Sequence, residues 1–163
     1  MLLDHDVVLS LVRANSFDEL HQLLNKEMEG ASVERRHSIA HWRTHALVRE
    51  KRLEDAIDHL RKNREDFLCK TSAYAEAAEL LDLLGRNAEA QAELAGAPII
   101  EEQDDYPVLV KDAKFIHLII KIRGGYRPSD AEINAFPDDF GTVILPGRPF
   151  LKSDLIAMIK DQI

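Results

Sequence analysis

The chain has 163 residues, enough for a sizeable core without disulfide or metal staples. It is 45% hydrophobic and 31% charged, and 21 Lys and Arg against 29 Asp and Glu give a net charge of −8, which argues against a general nucleic-acid binder. No apolar run reaches the ~20 residues that span a bilayer; Asp4 and Asp6 stand where an export signal would be positive; the single cysteine, Cys69, has no partner for a disulfide or a zinc knuckle. A reducing cytoplasm is therefore the expected compartment, with Cys69 a packed small residue near a helix start.

Residues 1–97 read as helix after helix. Apolar side chains recur at three- and four-residue spacing: Val7, Val8, Leu11, Val12; Leu20, Leu23, Leu24; Ala40, Leu47; Leu53, Ile57, Leu60; Ala77, Ala78, Leu81, Leu84. Breaks are expected at Asn15-Ser16, Gly30-Ala31-Ser32, Lys51-Arg52, Asn63 to Phe67 and Gly85-Arg86. Ser16 and Ser32 suit N-caps, and Ser16 with Glu19 spells a capping box. Residues 98–107, with Pro98, Pro107 and the acidic run EEQDD at 101–105, read as a linker. Residues 108–163 are expected to form a small α/β unit. KFIHLIIKI (114–122) has the β-branched and aromatic content of a buried strand, ended by Gly124-Gly125. A second strand is expected at 142–145, parallel to the first, followed by a loop holding Pro146 and Pro149. A closing helix starts at Ser153, with Leu155, Ile156, Ile159 and Ile163 on its apolar face.

A repeat underlies the helices. Leu47 and Leu81, Ala56 and Ala90, and Leu60 and Leu94 are each 34 apart; Leu11 and Leu47, Leu20 and Ala56, and Leu24 and Leu60 are each 36 apart. In this pattern 1–97 resembles the tetratricopeptide repeat, a 34-residue pair of helices. The third copy fits best: Tyr74 at the aromatic position, Ala78 at the small one, Leu81, Gly85 in the turn, then Ala90, Leu94 and Ala97. The second has Ala40, Thr44 and Lys51 where the aromatic, small and turn-glycine residues belong; the first has Asp4 and Val8. The fold class expected is mainly α: three tetratricopeptide-like hairpins with the C-terminal α/β unit as cap, since repeat arrays need covered ends. From Leu118 onward the chain also resembles the C-terminal half of a response-regulator receiver domain, with Arg148-Pro149-Phe150 at its lysine–proline–aromatic step. Arg123 replaces that family's hydroxyl residue, and the phosphoacceptor half is missing, so the resemblance implies no phosphorylation.

His37, His41 and His45 are spaced four apart, on one helix face. Such imidazoles can chelate a metal, but no glutamate lies between them and Arg43 does, which disfavours a cation. A phosphotransfer histidine normally sits on a helical bundle near small residues and a lysine, and AHWRTHA lacks that setting. The resemblance implies instead that His41, His45 and Arg49 line a groove; the third copy has Ala75, Glu79 and Leu83 at those places. Trp42 lies one residue off that line, fit either to pack between hairpins or to anchor a ligand. Residues 35–64 hold nine Lys and Arg and four acids, a local positive field. No GxSxG, HExxH or phosphate loop is present, and no cofactor or metal is expected. Arg123, Arg127 and Arg148 form a weaker anion-binding candidate.

These observations lead to the expectation of a protein–protein interaction module and not an enzyme. It would be an adaptor or regulatory subunit whose groove, His41, His45, Arg49 and Trp42, takes an acidic or carboxylate-terminated peptide. Its partner is another protein, with neither a membrane nor a nucleic acid expected. One alternative is a neutralising antitoxin or immunity-type protein that occludes a basic partner with acidic patches such as 101–105. Another is an anion-binding, receiver-like signalling protein. The acidic run is a solvated linker, or a competitor for the groove.

Overall fold

The computed structural model describes residues 3–98, 106–144 and 148–162. Among them are nine α-helices and one two-stranded sheet, so the chain is mainly α. Two compact units divide it, Met1–Lys70 and Thr71–Ile163. The first holds α1 (His5–Arg13), α2 (Phe17–Met28), α3 (Val33–Arg49), α4 (Leu53–Lys62) and a 3-10 turn at Arg64–Asp66. The second holds α5 (Lys70–Leu83, from Thr71 on), α6 (Asn87–Ala95), α7 (Pro107–Arg123), α8 (Asp130–Asn134), β1 (Gly141–Ile144), β2 (Arg148–Leu151) and α9 (Lys152–Asp161). Every break expected in 1–97 separates two of these helices.

Capping is local and visible. Asp4 accepts from the amides of Asp6 and Val7 at 3.1 and 3.3 Å, and Ser32 accepts from that of Arg35 at 3.2 Å. Ser16 makes no side-chain cap bond, so the Ser16–Glu19 box does not form. The box that does form is Ser129 with Glu132, at the start of α8.

The 36- and 34-residue register reappears in the backbone. Asn15, Lys51 and Gly85 each turn left-handed, with φ of 55°, 62° and 75°. In each case the next residue donates its amide to the carbonyl five residues back: Ser16 to Leu11, Arg52 to Leu47 and Arg86 to Leu81, all at 2.9 Å. This closes three helix ends with one motif and opens the next helix in the same way. The α7 terminus repeats it, with Gly125 at φ 99° and Tyr126 donating to Lys121 at 3.0 Å. Lys51 is strained there and Gly85 is not. Lys51→Gly is expected to stabilise by about 0.5–1 kcal/mol, and Gly85→Ala, whose Cβ would meet nothing within 4 Å, to destabilise by about as much. Urea midpoints check both; a lower midpoint for Lys51→Gly would mean that backbone strain does not govern the turn.

In the first unit, Val8 and Val12 of α1, Leu20 and Leu24 of α2, and Ile39 and Ala46 of α3 form one core with Leu3. Leu11, Phe17, Leu23, Met28, Ala31 and Trp42 pack around it.

The largest correction falls on 114–122, which is helix, not strand. α7 runs 17 residues, and Ala113, Phe115, Ile116, Leu118, Ile119, Ile120 and Ile122 are all buried in it. Its polar stripe is narrow, Lys111, Lys114, His117 and Lys121 at three- and four-residue spacing, so the sequence between reads as a near-continuous apolar run. The boundaries carry the helical signal: Pro107 in the first turn and the glycine pair at the end. The α7 end is tied down within its unit. Asn87 donates to Asp82 at 2.8 Å and to the Ile120 carbonyl at 3.3 Å, and accepts from Gln91 at 2.8 Å. A Cβ on Gly124 would meet only the ends of the Gln91 and Asn87 side chains, so a substitution there would displace this hydrogen-bonded pair rather than the backbone.

The sheet is also corrected. β1 and β2 are antiparallel, a hairpin pairing Gly141 with Leu151 through Ile144 with Arg148, whereas two parallel strands were expected. With α7 where the receiver resemblance needs a strand, and Arg148-Pro149-Phe150 inside β2, that order of elements is absent. Residues 145–147, between the two strands in sequence, lie outside the described residues. Phe115, Leu118, Ile119 and Ile122 of α7 pack with Phe136, Ile144, Phe150 and Leu155. α9 starts one residue earlier than expected, burying Leu155 and partly burying Ile156 and Ile159.

Candidate functional site

α3 sets the candidate site. Its one-turn spacing aligns His37, His41, His45 and Arg49 along one face. His41 and Arg49 are exposed; His37 and His45 are half-buried. In the 36-residue register, α1 offers His5, Leu9 and Arg13 at the places of His41, His45 and Arg49, and His5 and Arg13 are exposed.

The imidazoles play different parts. His37 accepts the Leu68 amide through Nδ1 at 3.1 Å and meets the Phe67 ring edge-on at 5.7 Å. It fastens the segment after α4. The His37 and His41 rings stack at 6.4 Å. His45 accepts from Arg49 Nε at 3.4 Å through Nε2, an arrangement that requires its proton on Nδ1 and a neutral ring. Protonation of His45 would break that bond and set two cations side by side.

Trp42 is half-buried against the first unit's core. Its ring lies 5.3 Å from His5 and 5.6 Å from His45, the latter edge-on. It thus bridges α1 and α3, with imidazoles on both sides.

Part of the local positive charge is already matched. Arg35 pairs with Glu27. Arg52 binds Asp55 at 2.8 Å and Glu50 at 3.1 Å, and these hydrogen bonds raise its pKa. Arg43 points off the face and donates to Asn25 at 2.7 Å; burial lowers its pKa. His21 meets Glu50 at 2.5 Å.

Across the described residues, no three His, Cys, Asp or Glu side chains converge as metal ligands, and no helix is long and apolar enough to cross a membrane. Cys69 is fully buried. In α5, Ala75 and Glu79 are buried, and only Leu83 of the three corresponding positions is exposed. The Arg123 guanidinium meets Asp82 at 2.5 Å, while Arg148 lies exposed on β2 and Arg127 exposed after α7. The acidic run 101–105, and any competition by it for the face, lies outside the described residues. Sequence reasoning missed the part of His5, which the 36-residue register points to once His41 is singled out. No protein-family model, no curated protein and no solved structure matches this chain.

Proposed function

We propose that this chain is a protein–protein interaction module, an adaptor or regulatory subunit rather than an enzyme. It would work in the cytoplasm, with the α3 face receiving an acidic or carboxylate-terminated peptide. The observation that carries this reading is the alignment of His41, His45 and Arg49, continued by His5 and Arg13 in the same register on α1. Arg49 supplies a planar, permanently charged fork for a carboxylate. His41 and His5 add imidazole hydrogen-bonding groups beside it. Trp42 supplies an apolar wall beside them.

The test is fluorescence polarisation with a labelled peptide of alternating Asp, Glu and Gly ending in a free carboxylate, against its Asn/Gln counterpart. The acidic peptide is expected to bind, the neutral one not, and His41→Ala/Arg49→Ala to weaken binding at least about tenfold. Equal binding by the double variant would sink the reading. The antitoxin-like alternative rests on a separate observation: residues 71–163 hold sixteen Asp and Glu against nine Lys and Arg. A basic partner bound through that acidic half would be insensitive to His41 and Arg49.

A further inference from the structure

The two edges of the β1–β2 hairpin are treated differently. Lys152 donates its amide to the Phe140 carbonyl at 2.9 Å, and the register sets Gly141 opposite Leu151 and Val143 opposite Pro149. Alternation along the antiparallel ladder then turns the backbone polar groups of Gly141, Val143, Pro149 and Leu151 away from the neighbouring strand. On the β2 edge neither outward amide is available: Pro149 has none, and that of Leu151 donates to Asp154 at 2.8 Å. Such devices keep a strand edge from pairing. The β1 edge has none of them. It ends a two-stranded sheet, Gly141 and Val143 are exposed, and among the described residues no hydrogen bond engages their amides.

A pocket opens at the base of that edge. Pro107, Val108 and Lys111 of α7 and Phe140, the residue before β1, enclose about 280 Å³. None of these residues comes from β2 or α9, and the Thr142 hydroxyl donates to Asp112 of α7, so the pocket belongs to the β1 side of the sheet. Its volume is small for a drug-sized ligand and suits one large apolar side chain. A third strand along β1 would turn the side chain opposite Phe140 to the same face as Phe140, toward the pocket. Charge adds a second requirement. Lys111 and Lys114 are exposed one turn apart on α7, and the Lys111 ammonium stands 6.0 Å from the Phe140 ring centre. Asp112 is taken by Thr142 and Asp138 by Lys152, while Asp139 is exposed on the far side of Phe140. An acidic residue beside the apolar one complements the two lysines.

We propose that the β1 edge and the pocket at its base form a second peptide site, where an extended segment of a partner protein adds as a third strand. Backbone bonds to Gly141 and Val143 hold the segment, and a large apolar side chain with an acidic neighbour fits against Pro107, Val108, Phe140 and Lys111. The site lies wholly in the second unit. It stands or falls independently of the α3 face.

Panning a displayed library of random heptapeptides against the full chain tests the proposal. Peptides with Leu, Ile, Met or Phe next to Asp or Glu are expected to be enriched. One of them, made synthetically and labelled, is then titrated by fluorescence polarisation. Val143→Pro, which removes an outward amide, and Val108→Asp, which puts a charge in the pocket, are each expected to weaken binding at least about tenfold. His41→Ala/Arg49→Ala should bind as the wild type does. Edge strands tolerate proline and the first turn of a helix favours an acid; far-UV circular dichroism verifies that both variants are folded, and either one alone suffices. Bound peptide is also expected to slow hydrogen exchange at the Gly141 and Val143 amides. No enrichment overturns the proposal. So does an enriched peptide indifferent to a folded variant, or one that leaves exchange at Gly141 and Val143 unchanged. A wild type that dimerises at about 100 µM, with Val143→Pro monomeric, would give the edge to a second copy and overturn it too.

Discussion

Phe115→Ala is expected to cost the second unit about 3–5 kcal/mol. Phe115 is fully buried at the centre of an aromatic cluster, with Phe136 and Phe140 each 5.0 Å away and Phe150 at 6.1 Å, all at steep angles to it. These rings come from α7, from the approach to β1 and from β2. One side chain therefore joins the helix to a hairpin too short to stand alone. Truncation leaves a cavity ringed by other aromatic side chains, which cannot all move into it. Phe115→Leu keeps most of the volume and should cost less than half as much. Chemical denaturation with hydrogen exchange on β1, β2 and α9 checks this; a loss under about 1 kcal/mol for Phe115→Ala would show that the cluster does not hold the hairpin.

Lys152→Ala is expected to cost about 1–3 kcal/mol. Lys152 opens α9 and is only 4% exposed, yet its ammonium is satisfied. It donates to the Phe136 carbonyl at 2.8 Å and to Asp138 at 2.9 Å. The two acceptors are unequal. Asp138 is fully exposed, so solvent screens its charge and the ion pair adds little. The carbonyl bond holds the loop before β1 against the start of α9, and removing the lysine strands that carbonyl. Asp138→Ala should therefore be nearly silent, and Lys152→Met, which keeps the buried stem, should fall between the two. Thermal unfolding of the three variants at one pH ranks them. Asp138→Ala matching Lys152→Ala would mean that the charge, and not the carbonyl, does the holding.

Most helices of residues 1–97 were legible because each exposes one side; α5, buried or half-buried from Thr71 to Asp82, was legible from the spacing of Ala77, Ala78, Leu81 and Leu84. Leu20, Leu24, Ile57 and Leu60 repeat at helical spacing among charged residues, and glycine, asparagine or serine marks the ends. The 36- and 34-residue spacing of the turns at Asn15, Lys51 and Gly85 was legible too, though Lys51 hides a turn position that a glycine would have announced. α7 was misread because its polar stripe is only one residue wide: Lys114, His117 and Lys121 keep helical spacing, but the apolar residues between them outweigh it. Its 17-residue span between Pro107 and Gly124 is too long for a typical strand and was the better guide. The antiparallel pairing was missed because, once 114–122 had been taken for a strand, β2 was read as a loop. Proline tolerates an edge strand, so Pro149 did not forbid it. At the candidate site, spacing placed His41 and His45 on one face, but only coordinates separate His37, which holds the Leu68 amide, from His41, which is exposed. Nor does spacing show that Arg123 already has a carboxylate.

In the first unit, α1 packs on α2, α2 on α3 and α3 on α4, each on its neighbour in the chain. Nearly every loop that must close is short, and the entropy lost in closing it is small. Such a unit belongs with rapidly folding helical proteins. The hairpin of the second unit must wait for α7, whose last apolar residue, Ile122, precedes β1 by nineteen positions. Synthesis from the N-terminus thus presents the quickly folding unit first, with the α3 face formed before the residues that complete the second core have been made.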